Sequence, residues 1–240
     1  MGKGLTDYRA YLNTPWGKLF YRIALAQLGE LRGKRILDFG SGFGITSDAL
    51  AASNDVTAIE PNGEMADGAS RVNMYRQIVG GAEKLASEKD GSYDVILCHN
   101  VLEYVEDRAA VMREFSRLIS PDGSVSVIKH NHAGKVMQTA ILANDLAGAR
   151  ALLDGADAES NCFGRIGVYG DGEVEAWSDG ALRIADRMGI RIFFGLQPNE
   201  VKTGQDWSDE AFALEMSACR MSPYYDVAFY HHIIMRKDCP

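Results

Sequence analysis

The feature that most constrains this chain is a glycine-rich turn set between an apolar run and a helix-forming segment. Arg35-Ile-Leu-Asp-Phe39 has the character of a short buried strand, and it runs into Gly40-Ser-Gly-Phe-Gly44. Glycine accepts positive φ and lets a ligand come close to the backbone. Residues Ile45 to Ala52 then read as a helix whose first N–H groups are free to meet a polar partner. Glu60 follows 20 residues after Gly40, at the tip of a second apolar run, Val56-Thr-Ala-Ile-Glu60. A carboxylate in that place can accept both hydroxyls of a ribose. Turn, helix and acid together predict a nucleotide-type ligand, against the bland alternative of a tight turn with no ligand.

The rest of the chain extends this rhythm. Pro15 to Leu31 reads as a helix with Leu19, Ile23, Ala26 and Leu28 on one apolar face. Pro61-Asn62-Gly63 turns into a helix containing Met65 and Ala69, and Arg76-Gln-Ile-Val79 reads as a third strand. Tyr93 to Cys98 is a fourth strand, Val101 to Ile119 a long amphipathic helix stopped by Ser120-Pro-Asp-Gly123, and Ser124 to Ile128 a fifth strand. Alternating strands and helices with short connections predict an α/β fold, a Rossmann-like doubly wound sheet of mostly parallel strands. Ala133 to Glu173 breaks the pattern and reads as a helical insertion, or lid, over the active-site face. A helix over 172–188, a strand over 189–194, a helix over 207–221 and a strand over 227–235 complete about seven strands in one domain, 1–240.

The loop discriminates among nucleotide ligands. A dinucleotide fingerprint is G-x-G-x-x-G with pyrophosphate at the helix start. Here the pattern is G-x-G-x-G, with Ile45 where the third glycine of that fingerprint would fall and Asp38 just before the first glycine. A carboxylate at Asp38 repels a pyrophosphate but suits the ammonium of a methionine moiety. This favours S-adenosylmethionine over NAD and an oxidoreductase.

Charge and cysteines narrow the class further. The formal net charge is −8, from 33 acidic and 25 basic residues. That argues against strong non-specific nucleic-acid binding, which phosphate neutralisation drives. Cys98, Cys162, Cys219 and Cys239 form no C-x-x-C pair, so neither structural zinc nor a disulfide framework is expected. Free thiols suit a reducing compartment. Met1 to Trp16 contains no signal-like apolar run and no stretch has the length of a membrane span. The expectation is a cytoplasmic protein without a membrane partner.

Three segments resemble the motifs of class I S-adenosylmethionine-dependent methyltransferases: Ile36 to Gly44, Ile59-Glu-Pro61 and Tyr93-Asp-Val-Ile96, with Pro121-Asp-Gly123 similar to the usual turn before the fifth strand. The likeness spans residues 15 to 130 and recurs near the end. His99-Asn-Val-Leu-Glu-Tyr-Val105 is similar to a segment of the bacterial family that esterifies carboxymethoxyuridine in tRNA. Leu214-Glu215, Cys219-Arg220, Pro223-Tyr224, Tyr230 and His232 also match that family's spacing, and Asn131 aligns after the fifth strand. Two departures stand out. Leu152 to Asp171 carries Arg165 as its one basic residue, where the family has a lysine-rich stretch. Phe20 stands where the family has an arginine, for which Arg22 would have to substitute.

The resemblance implies a cofactor site of Asp38, Gly40, Ser41, Gly42, Gly44, Glu60, Pro61, Ala82, Glu83, His99 and Asn100. It implies catalytic roles for His99, Asn131 and Arg220, and an acceptor that is a tRNA or a small carboxylic acid. Each residue has a plainer reading. Asn100 is a candidate helix cap, and Glu83 a charge favoured at a helix start. Arg220 is an ordinary surface charge, and Trp16 and Tyr104 are candidate core aromatics. His130 and His132 form an H-x-H with no third ligand apparent, so no metal is expected. His231 and His232 alternate across the last strand.

Overall fold

The apolar runs pair as strands because each can bury both faces only inside a sheet covered by helices. The computed structural model describes residues 3–156, 158–160 and 164–237. Hydrogen bonding joins β1 (Arg35–Phe39), β2 (Asp55–Glu60), β3 (Arg76–Val79), β4 (Tyr93–His99), β5 (Ile119–His130), β8 (Leu182–Ile190) and β9 (Tyr230–Lys237) in one seven-stranded sheet, ordered β3-β2-β1-β4-β5-β9-β8. The strands β6 (Ala158–Ser160) and β7 (Gly164–Ile166) form a separate antiparallel pair. The pairings of β1 with β2 and β4, β2 with β3, and β4 with β5 are all parallel. The strand order reverses between β1 and β4, the place where such sheets take their ligands.

The chain forms two contact units. One comprises Leu28–Ile128, Gly170–Asp186 and the segment from Ile233 onward. It holds β1 to β4, most of β5, and the helices α3 (Ile45–Ala51), α4 (Gly63–Asp67), α5 (Arg108–Leu118) and α8 (Asp171–Ala176). Ile36, Val56, Val95 and Leu97 form a core inside it, packed by Leu28, Leu31, Leu50, Ala51 and Tyr75. The other comprises the residues up to Gln27, Lys129–Tyr169 and Arg187–His232. It holds α1 (Lys3–Leu12), α2 (Pro15–Leu28, all but its last residue), α6 (His132–Ile141), α7 (Leu146–Leu153) and α9 (Gly204–Ala218). Here Leu152 and Ile166 pack with Val136 and Val168. Among the described residues no helix is long and apolar enough to cross a membrane.

Several sequence expectations need correction. The helix expected over Val101–Ile119 is two pieces, a single 3-10 turn at Leu102–Tyr104 and α5, which starts only after Asp107 caps Ala110 N at 2.8 Å. The fifth strand starts at Ile119, before the Ser120–Gly123 turn. The register jumps from Tyr93↔Ile119 to Val95↔Ser124, so the turn bulges out of a strand that continues. The helix expected over 172–188 ends at Ala176, and its second half is β8. Asp179 and Gly180 adopt positive φ, which stops the helix, and Leu182, Met188 and Ile190 are fully buried as strand residues. The strand expected over 189–194 is accordingly displaced towards the N-terminus. The helix after Pro61 stops at Asp67, short of Ala69. The stretch 133–173 contains α6, α7 and the β6–β7 pair. Of the cysteines, Cys98 and Cys219 are buried thiols outside any disulfide, while Cys162 and Cys239 lie outside the described residues.

Candidate active site

The glycine turn takes the shape its composition allows. Gly40, Gly42 and Gly44 have φ of 79°, 57° and 70°. At Gly40 the requirement is steric as well, because a Cβ there would come within 2.2 Å of Val101 Cγ2. The segment after β4 therefore packs directly on the turn after β1.

Two buried carboxylates flank the turn. Glu60, 6% exposed, accepts N–H bonds from Gly42 at 2.7 Å and Asn62 at 2.9 Å. Asp38, 4% exposed, accepts the Ser47 hydroxyl at 2.6 Å. Burial pushes Asp38 up to about 6; the Ser47 bond opposes the rise and the nearby Glu60 charge adds to it. Burial also raises Glu60, against its two backbone N–H bonds. Among the described residues, neither carboxylate forms an ion pair with a cationic side chain. Uncompensated buried anions are costly, so the pair suits a ligand that brings a cation and hydroxyl donors. Two further atoms lack partners: the buried Ser41 Oγ and Asn100 Oδ1. Asn100 has φ of 58° and donates its N–H to Ile128 O at 2.7 Å. Its side chain caps no helix, so the plain reading of Asn100 is not the one realised.

His99 ends β4 with Nε2 2.8 Å from Ser126 Oγ, and burial pushes it down to about 3. Glu83 is exposed. Its two carboxylate oxygens lie 3.0 and 3.1 Å from the Gly81 N–H, so it caps the short 3-10 helix that begins at Ala82. Pro61 and Ala82 are exposed beside these elements. The sequence reading missed Ser47 and Ser126, which fix Asp38 and His99. The local signal for Ser126 is a hydroxyl between two buried valines, Val125 and Val127.

A match to a methyltransferase domain family runs over residues 37–127. The ubiquinone biosynthesis O-methyltransferase of Pseudomonas aeruginosa strain UCBPP-PA14 is 33% identical over an alignment of 170 positions that covers 67% of this chain and 69% of that enzyme. The chain belongs to the class I S-adenosylmethionine-dependent methyltransferases. The fold agrees with solved members. A methyltransferase from Mesorhizobium loti superposes with TM-score 0.62 over 91% of this chain and 98% of its own, at 16% identity. One from Methanosarcina mazei gives 0.59 over 90% and 98%, also at 16% identity. As a class I methyltransferase the chain uses S-adenosylmethionine, and the uncompensated Asp38 and Glu60 carboxylates fit that cofactor's ammonium and ribose.

The remaining expected residues of the methyltransferase lie in the other unit. Asn131 is buried, and its amide donates to Asp226 O at 2.9 Å and Ala228 O at 2.8 Å. Its amide nitrogen is thereby committed to the backbone just before β9. Arg220 is exposed just after α9, with Nη1 3.7 Å from Cys219 Sγ. Arg22 pairs with Asp209 and lies over the Phe212 ring, on the surface of α2. His130 sits against Phe229 and Tyr230, with centroids at 5.4 and 4.7 Å. His132 Nε2 lies 3.0 Å from Leu152 O, and His232, fully buried, has Nδ1 2.7 Å from Gln27 Oε1. His231 is buried too and contacts the Tyr225 hydroxyl at 2.9 Å, so both strand histidines are packed.

Glu60→Ala is expected to weaken S-adenosylhomocysteine binding by about 1.5–3 kcal/mol, the worth of hydrogen bonds to a charged group. Titration calorimetry checks this, with circular dichroism to confirm the fold. An unchanged dissociation constant in a folded variant would place the ribose elsewhere.

Proposed function

We propose that this methyltransferase acts on a carboxylate oxygen of its acceptor and forms a methyl ester. The observation that carries the reading is the state of the two histidines that end β4 and β5. Burial pushes both His99 and His130 down to about 3, helped at His130 by the charges of Lys135, Arg191 and Lys129. Groups that weak are poor bases for a hydroxyl or amine proton at neutral pH. A carboxylate is already ionised there and needs no base.

The cofactor supplies an activated methyl group when bound. The residues that would hold it are Asp38 and Glu60, with Ser41 and Asn100 offering their unpaired oxygens. His99, tied to Ser126, gives this site a rigid neutral wall. The C-terminal residues that resemble the tRNA carboxyl-methylating family support an acid acceptor, either a modified tRNA uridine or a small carboxylic acid. A second reading, methylation of a phenolic oxygen, is favoured by the name of the Pseudomonas relatives, ubiquinone biosynthesis O-methyltransferases.

The test incubates the enzyme with methyl-labelled cofactor and panels of tRNA, small acids and phenols. Products are then treated with mild base. Released labelled methanol is the expected result, because esters hydrolyse and aryl ethers do not. A base-stable methylated phenol would overturn the ester and establish the second reading.

A further inference from the structure

In the unit that holds α1, α2, α6, α7 and α9, two cations lie against aromatic rings. Lys202 is 1% exposed, and its Nζ donates to Asn199 Oδ1 at 2.9 Å and sits 5.3 Å from the Trp16 ring centre. Arg191 follows β8 with φ of 61°, a left-handed backbone that bulky residues seldom adopt. Its guanidinium carbon lies 4.7 Å from the Phe229 ring centre and 5.7 Å from that of Phe194. Its Nε is buried and has no acceptor. Among the described residues, neither side chain forms an ion pair.

The surroundings make this arrangement unlike a structural salt bridge. Glu215 is the acid whose field Arg191 reaches, but its two oxygens accept N–H bonds from Ile192, Phe193 and Phe194. Burial, and after it the charge of Arg191, pushes Lys202 down to about 8, while Glu200 opposes the shift. Arg191 also reaches the Tyr230 hydroxyl and is felt at His130. A chain of net charge −8 thus places two neighbouring cations against aromatic faces and leaves a buried donor unpaired. Buried donors are nearly always satisfied, and an unsatisfied one is tolerated where a ligand brings the acceptor. A guanidinium fork matches a carboxylate, and flat rings beside it suit an aromatic or heterocyclic body.

We propose that Arg191 and Lys202 form a recognition site for an aromatic carboxylate, with Trp16 and Phe229 beside it to receive the planar ring. The proposal concerns this one unit and places the carboxylate contact at Arg191, not at the exposed Arg220. It is testable by binding alone.

Benzoate serves as the probe, and titration calorimetry of the full chain measures its affinity. The same titration in Arg191→Gln, Arg191→Lys, Lys202→Met, Arg220→Gln and Arg150→Gln, the last an exposed cation of the same unit, locates the site. S-adenosylhomocysteine titration and circular dichroism confirm that each variant is folded. The expected result is benzoate binding weakened about tenfold or more by Arg191→Gln and Lys202→Met, the scale of one lost charge-assisted hydrogen bond. Arg191→Lys should lie between, and Arg150→Gln should match the parent. No benzoate binding by the parent chain overturns the proposal. So does a loss confined to Arg220→Gln, or an equal loss in Arg150→Gln. A base-stable methylated product with the benzoate pattern intact would end the ester reading and leave the anion site standing.

Discussion

Asp38→Asn is expected to weaken S-adenosylhomocysteine binding by about a hundredfold while making the ligand-free protein more stable above pH 6. The binding loss follows from removing a buried charge that the ligand's ammonium would neutralise, an effect of about 3 kcal/mol or more. The stability gain follows from the direction of the pKa shift. Asp38 titrates at about 6 in the folded chain, above its ordinary value of 3.8. A raised carboxyl favours folding below pH 3.8 and loses that advantage as pH rises through 6. At pH 8 the ionised group is therefore a burden on the order of 1–3 kcal/mol, which asparagine removes while still accepting the Ser47 hydroxyl. The variant's gain in melting temperature should be present at pH 8 and absent at pH 3.5. Scanning calorimetry at the two pH values, beside a ligand titration at pH 8, checks both arms. Equal affinity in the variant would remove Asp38 from the cofactor site, and equal stability at pH 8 would show that its charge is compensated.

Glu215→Ala carries the other large effect. Glu215 is 1% exposed, and its carboxylate accepts the N–H groups of Ile192 at 2.9 Å, Phe193 at 2.7 Å and Phe194 at 3.1 Å. No regular element satisfies these donors, because β8 has ended and the chain is turning. Removing the carboxylate leaves three N–H groups without acceptors, at about 1–3 kcal/mol each. A total loss of about 3–6 kcal/mol is expected from the midpoint of urea unfolding. Amide exchange at residues 192–194 should accelerate even in native buffer. Glu215→Gln keeps an acceptor oxygen and should lose less than the alanine. A loss below about 1 kcal/mol in Glu215→Ala would mean that water or backbone rearrangement replaces the carboxylate. The same variant should loosen Arg191, which follows from the turn that Glu215 holds.

The glycine turn and its flanking acids were legible because their rules are local. A strand, a glycine turn and an acid at the next strand tip are neighbours in sequence, and a parallel sheet brings consecutive strand ends together at one edge. Gly40, Gly42 and Gly44 do take positive φ, and Asp38 and Glu60 do flank the turn. The residues that hold those groups were not legible. Ser47 reaches Asp38 from the next helix, and Ser126 reaches His99 across 27 residues. Their roles follow from pairing, which periodicity does not encode. The errors had the same origin. Residues 172–188 contain helix formers, but Asp179 and Gly180 turn left-handed and the sheet edge offers strand partners to Leu182–Ile190. Tertiary pairing overrode a weak helical preference.

By itself, then, the sequence determined the parallel core and the chemistry of its cofactor turn, because both depend on short-range patterns of apolar residues, glycine and acid. The tertiary structure decided everything that depends on burial and distant partners. It brought Arg191 and Lys202 within reach of each other's charge although they lie on either side of a turn, and it set Trp16 beside Lys202 from the far end of the chain. It also lowered two histidines to about 3 that a linear reading would have offered as bases. Desolvation and through-space charge belong to the folded surroundings of a group, and no residue carries them in its own identity.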